Sequence, residues 1–138
     1  MARFDEQDAA VRSTIEPEAE YVLVRLAGKA TGKDLVAHLR GLLSQIAGVC
    51  QERRYTKVLM NLQALEFSLS IMERAAAGEA FVEQWPRSVR LAMVAPAHAI
   101  LHDHFLENTV VNRGITARGF DNLDEALVWL GVPAEPRP

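Results

Sequence analysis

Short apolar stretches alternate with capped helical segments along most of this 138-residue chain. The apolar stretches are short, rich in branched and aromatic residues, and bounded by Gly, Pro or polar residues, which is typical of strands. They predict strands at 11–16, 21–27, 57–62, 88–95 and 115–120. Gly28 should end the second of these strands, and 65–70 should form a loop after the third.

The segments between the strands have helical spacing and recognisable N-terminal caps. Thr31 is the expected cap of a first helix whose buried stripe is Leu35, Leu39, Leu42, Ile46 and Val49. Ser70 and Glu73 predict a capping box for a second, with a buried stripe of Ile71, Ala75, Gly78, Val82 and Trp85. A third helix is expected at 96–112, and a fourth between the cap Asn122 and Gly131.

The resulting order, ββαβαβαβα, predicts an α/β fold. Alternating strands and helices favour parallel strands with helices on the faces of the sheet, and the first two strands should add an antiparallel edge. We therefore expect one domain over 1–138, with a mixed, mostly parallel sheet of about five strands and about four helices. Residues 1–10 and 133–138 are expected to be flexible tails.

Composition and charge exclude several classes of function. Fifteen basic against eighteen acidic residues give a net charge of −3, which does not favour binding to nucleic acid. No apolar run is long enough for a membrane span, and the polar first residues do not resemble a signal peptide. With a single cysteine, Cys50, the sequence fits a reducing compartment, so we predict a cytoplasmic protein.

The segment 96–112 has apolar residues nearly all round the helix axis. Such a helix is either deeply buried or covered by another subunit. The second alternative predicts a homo-oligomer, with a dimer favoured, through Ile100, Phe105, Leu106 and Val110. The same segment carries His98, His102 and His104. Their angular spacing on one helix does not allow all three side chains to bind the same metal ion, so no metal or other cofactor is predicted.

The stretch 57–73 is the best candidate for a functional site, because ligands of α/β sheets usually lie at the carboxyl ends of strands. Its candidate binding residues are Asn61, Phe67, Ser68, Ser70 and Met72. Ser68 and Ser70 are also candidate phosphorylation sites, since a helix N-terminus accommodates a phosphate. The alternative for both serines is a helix-capping role.

The strands at 57–62 and 88–95, together with the closing sequence Asn112-Arg113-Gly114 and 120–130, resemble the SpoIIAA-like, STAS-type small bacterial proteins. This resemblance implies an α/β sandwich with a mixed sheet, related to anti-sigma-factor antagonists and to the CRAL-TRIO fold. Phosphorylated antagonists carry an Asp-Ser-Ser-Gly-like motif at the corner after the central strand. Here the strand carries Asn61 and the corner reads Glu66-Phe67-Ser68-Leu69-Ser70, so only the positions of the serines match.

Two functions remain open at this point. The first is a non-enzymatic, regulatory module that recognises a protein partner or a ligand at the corner after the central strand. The second is a carrier of a small apolar ligand, in a pocket between the sheet and the helices that carry Phe81, Trp85 and Phe105. No grouping of residues typical of catalysis is present, so the chain is not predicted to be an enzyme.

Overall fold

Five strands form a single mixed sheet whose spatial order follows the chain. The computed structural model describes residues 11–96 and 114–132. The strands are β1 (Val11–Pro17), β2 (Val22–Ala30), β3 (Lys57–Phe67), β4 (Arg90–Val94) and β5 (Ala117–Phe120), and the helices are α1 (Gly32–Arg53), α2 (Ile71–Gln84) and α3 (Leu123–Leu130). β1 pairs antiparallel with β2, and the other three pairings are parallel. The predicted α/β fold with a mixed five-stranded sheet is confirmed.

The main core lies between one face of the sheet and the helices α1 and α2. Alternate residues of β2 and β3 point into it, as the period of two in a strand requires. The core residues include Val24, Leu26, Met60, Ile46 and Phe81, all buried. The stripe predicted for α1 is confirmed at Leu35, Leu39, Leu42 and Ile46, with Cys50 buried in its last turn.

A smaller core lies on the opposite face, beneath α3. Leu59, Ala92 and Val94 of the sheet pack there against Ala126 and Leu130. Two cations secure the C-terminal end of α3. The Lys57 Nζ donates to the Gly131 carbonyl at 3.1 Å, and the Arg90 guanidinium donates to the Trp129 carbonyl at 2.9 Å. Both contacts satisfy carbonyls that the helix leaves open, and both complement its dipole.

Several predicted boundaries were wrong. Gly28 does not end β2, because it adopts a φ of +115° that glycine tolerates and stays paired with Leu65. β3 continues to Phe67, so Leu65, Glu66 and Phe67 are strand residues and not loop residues. β4 is shorter than predicted.

Three helices are described where about four were predicted. The predicted helix 96–112 lies almost entirely outside the described residues, as do the three histidines and the proposed interface residues Ile100, Phe105, Leu106 and Val110. Within 11–96 and 114–132, no helix is long and apolar enough to cross a membrane.

Candidate functional site

β3 extends beyond its neighbour β4 and carries the chain to an exposed corner. The last pair between the two strands is Asn61 with Val94, and the rest of β3 pairs with β2 alone among the described residues. The pairing with β2 shifts register between Arg25 and Ala27. At this irregularity the side-chain amide oxygen Oδ1 of Asn61 accepts a hydrogen bond at 2.9 Å from the Gln63 backbone N–H. The side chain of Asn61 thus stabilises a β-bulge.

Asn61 does not lie at the corner. Phe67 is six positions further along the strand, which corresponds to about 20 Å. Phe67, another candidate binding residue, is half-buried, and its side chain packs against the main core. The structure therefore brings together only Ser68, Ser70 and Met72 of the five candidate binding residues.

The corner is held in place from both sides. Leu69 is buried between the exposed Ser68 and Ser70, and anchors the turn in the core. Ser70 is the N-cap of α2, and the predicted capping box is confirmed. The Ser70 hydroxyl accepts from the Glu73 N–H at 3.1 Å, and the Glu73 carboxylate accepts from the Ser70 N–H at 2.8 Å. A strand, a buried leucine and a capping box thus fix the position of the first turn of α2.

That first turn exposes apolar side chains. Ile71 is 74% exposed and Met72 is 80% exposed, and Ala75 one turn later is exposed as well. The predicted buried stripe was therefore wrong at Ile71 and Ala75. The buried side of α2 is instead formed by Ala77, Gly78, Ala80 and Phe81. We call the exposed group Ser68, Ser70, Ile71, Met72 and Ala75 the corner surface.

The N-termini of α1 and α2 meet beside the corner surface. A Cβ atom built on Gly32, the first residue of α1, would lie 2.0 Å from the Glu73 carboxylate oxygen. The carboxylate therefore packs directly on the backbone of α1 while it caps α2. Since helix N-termini favour negative charge, one carboxylate stabilises both ends.

An apolar cavity lies beneath the corner, between the sheet and the two helices. Its volume is about 50 Å³, and its lining includes Leu26, Leu39, Met60, Phe67, Leu69 and Phe81. One water occupies about 30 Å³ in the liquid, whereas sites for small ligands measure roughly 300–1,000 Å³. Trp85, on one of the helical segments expected to border the pocket, is buried in the packed core and donates its ring N–H to the Val89 carbonyl at 2.9 Å. Phe105 lies outside the described residues.

A Ser–His hydrogen bond that the sequence did not predict joins β1 to α1. The Ser13 hydroxyl and His38 Nε2 are 2.9 Å apart. Partial burial lowers the pKa of His38, which favours the neutral ring. Among the described residues no carboxylate bonds to the ring, so the pair lacks the third group of a catalytic triad. Because the two residues are 25 positions apart in the sequence, no local sequence pattern indicates this contact.

Elsewhere in the described segments, no three His, Cys, Asp or Glu side chains gather in a way that could hold a metal ion. Cys50 is buried, and burial raises the pKa of its thiol to about 11. A thiol in that environment is a poor nucleophile.

Comparison with solved structures establishes which fold this is. An anti-sigma factor antagonist from Mycobacterium paratuberculosis matches with a TM-score of 0.60 at 16% identity, over 89% of this chain and 96% of that one. The chain has a SpoIIAA-like fold. An uncharacterised Shewanella loihica protein with this fold matches with a TM-score of 0.54 at 17% identity, over 88% and 94% of the two chains.

The SpoIIAA-like fold is also that of the Bacillus cell fate determinant SpoIIAA in its phosphorylated form, which matches with a TM-score of 0.50. The identity is 17%, over 86% of this chain and 98% of that one. No protein-family sequence model matches the chain, and no curated protein matches it significantly in sequence. The resemblance inferred from the sequence is thus confirmed at the level of the fold.

Proposed function

We propose that this chain is a non-enzymatic regulatory module that binds a protein partner through the corner surface. The observation that carries the proposal is the exposure of Ile71 and Met72 on a turn whose backbone is fixed by a capping box. A helix that buries one face rarely leaves two adjacent large apolar side chains with about three-quarters of their surface in water. A preformed apolar surface also loses little conformational entropy on binding.

The fold supports the same proposal. One matching structure is an anti-sigma factor antagonist, and another is the Bacillus cell fate determinant SpoIIAA in its phosphorylated form. Their similarity to this chain is in the fold, so the assignment to a partner rests on the exposed residues described above.

A carrier of a small apolar ligand is less well supported. The cavity of about 50 Å³ among the described residues is several times smaller than such a ligand requires. Native mass spectrometry of the chain purified from its host would separate the two functions. A retained small molecule would favour the carrier, and a retained protein would favour the module.

Substitutions at the corner surface test the module directly. The partner would first be recovered from the host with the full chain and identified by mass spectrometry. Its affinity would then be measured by calorimetry for the wild type and for Met72→Lys and Ile71→Lys. We expect each substitution to weaken binding by at least about 10-fold, because a charge would replace a desolvated apolar contact. Val128→Lys is the matched control, since Val128 is equally exposed on α3, on the opposite face of the sheet. Equal affinities for all four proteins would contradict the proposal.

If the module is switched by phosphorylation, Ser68 is the better acceptor of the two serines. The Ser70 hydroxyl is engaged with the Glu73 N–H, and a phosphate there would lie beside the Glu73 carboxylate. Ser68 is exposed and lies before the first turn. Incubation with kinases of the host, followed by mass spectrometry of wild type, Ser68→Ala and Ser70→Ala, tests this choice. Phosphate that persists in Ser68→Ala would reject Ser68.

A further inference from the structure

A groove runs between β5 and α3, on the face of the sheet opposite the corner surface. Its apolar lining consists of Phe120, Val128 and Trp129. The rings of Phe120 and Trp129 are 5.8 Å apart at their centroids, and the Arg118 guanidinium lies 5.4 Å from the Phe120 ring centroid. These tilted aromatic and cation–π contacts hold the walls of the groove in a fixed arrangement.

The groove exposes more apolar surface than the fold requires. Val128 is 77% exposed, although its neighbours Leu127 and Trp129 both pack against the smaller core. With Phe120 and Trp129 only half-buried beside it, the exposed apolar atoms are contiguous. A contiguous apolar patch with a charged rim is characteristic of an interaction surface.

The charges on the rim indicate what kind of partner fits. Arg118 lies on the strand side of the groove, and the carboxylates Asp124 and Glu125 lie on the helix side. Neither Arg118 nor Glu125 forms an ion pair with another described residue. A two-fold rotation about an axis through the apolar lining exchanges the two sides. It would place the Arg118 of each copy against the Glu125 of the other, with Val128 near the axis. The groove is therefore complementary to itself in both charge and hydrophobicity, as an isologous interface must be.

We propose that a second copy of this chain covers the groove, forming a symmetric dimer through Val128 and two reciprocal Arg118–Glu125 ion pairs. The dimer uses the face that carries α3, so it leaves the corner surface of both copies open to solvent. It is independent of the proposed function, because neither surface contributes residues to the other.

Sedimentation equilibrium of the full chain from about 1 to 200 µM tests the dimer, since mass action populates it as concentration rises. The weight-average mass should rise from 15.3 kDa toward twice that value.

Val128→Lys should weaken association by at least about 10-fold. Arg118→Glu and Glu125→Arg should each weaken it, and the double charge reversal should restore association to within a few-fold of wild type, because it rebuilds both ion pairs with exchanged signs. Met72→Lys, equally exposed but at the corner surface, should leave association unchanged.

The outcomes decide the proposal in each case. A chain that stays monomeric at all concentrations overturns the proposal and would indicate that a different protein binds in the groove. A dimer that is insensitive to Val128→Lys also overturns it, because that dimer must use another surface. A double reversal that associates no better than either single variant rejects the ion pairs. Circular dichroism and thermal unfolding of each variant establish that it is folded. If Arg118→Glu does not fold, Glu125→Arg, at an exposed helix position, tests the ion pairs in its place.

Discussion

Ser13 and His38 illustrate how a single pair can tie stability to pH. Partial burial lowers the pKa of His38 below its ordinary value of 6.5, while the unfolded chain titrates near that value. In the folded chain the ring therefore binds a proton less readily than in the unfolded chain. The contribution of His38 to stability is present above pH 6.5 and is lost as the pH falls through the lowered pKa. Protonation also removes the nitrogen lone pair that can accept from the Ser13 hydroxyl.

We predict that the free energy of unfolding decreases as the pH is lowered from about 8 to 5, and that His38→Gln removes part of this decrease. Urea denaturation at each pH measures it, and the difference between the two proteins isolates His38 from the carboxylates that titrate in the same experiment. Arg12→Gln, on the same strand as Ser13, is a control for a changed charge. Parallel pH profiles of wild type and His38→Gln would show that His38 is not the group responsible.

At the scale of elements, the junction of α1 and α2 depends on one close approach. Glu73 caps α2 and at the same time packs on Gly32. Gly32 has no side chain to displace the carboxylate, whereas a Cβ atom there would lie 2.0 Å from it. The identity of residue 32 is therefore determined by a residue 41 positions later, and not by the helix that it begins.

Gly32→Ala should be less favourable than Gly41→Ala by about 1 kcal/mol, because the Glu73 carboxylate must shift from its capping position to make room for the Cβ atom. Gly41→Ala in the middle of α1 is the matched control. Nothing lies within 4 Å of a Cβ atom there, so alanine should stabilise the exposed helix by up to about 1 kcal/mol. Urea denaturation would measure both. Equal changes in stability for the two substitutions would contradict this explanation, as would a difference that persists in full in the Glu73→Ala background.

For the whole molecule, the features predicted correctly from the sequence are those encoded locally. Thr31, Ser70 and Asn122 act as N-caps as expected, because a cap needs only a backbone N–H three residues away. Within the described residues, the order of elements and the sheet type follow from alternation of strands and helices, which is also a local pattern.

The incorrect predictions concern residues whose environment is set by tertiary packing. Ile71 fits a helical apolar stripe in sequence, yet α2 packs through Ala77, Gly78 and Ala80, which allow close contact with its neighbours and leave Ile71 outside. Helical spacing alone cannot distinguish these two faces when both are apolar. The sequence predicts the position of the corner surface, because it follows β3. The apolar character of that surface depends on which side chains are exposed, and only the structure shows this.

Cys50 reports on the integrity of the whole fold, because it lies in the main core where α1 meets the sheet. Its thiol pKa of about 11 leaves roughly one molecule in a thousand as thiolate at pH 8, and its burial excludes reagents.

We predict that a thiol reagent such as Ellman's reagent modifies Cys50 at least about 1,000-fold more slowly in the native chain than in urea. The rate should rise with urea concentration in proportion to the population of open molecules. Ser44→Cys in a Cys50→Ala background places a thiol on the exposed side of the same helix and should react at the rate of a free thiol. Rapid, stoichiometric modification of Cys50 in native buffer would show that α1 separates from the sheet without unfolding of the core.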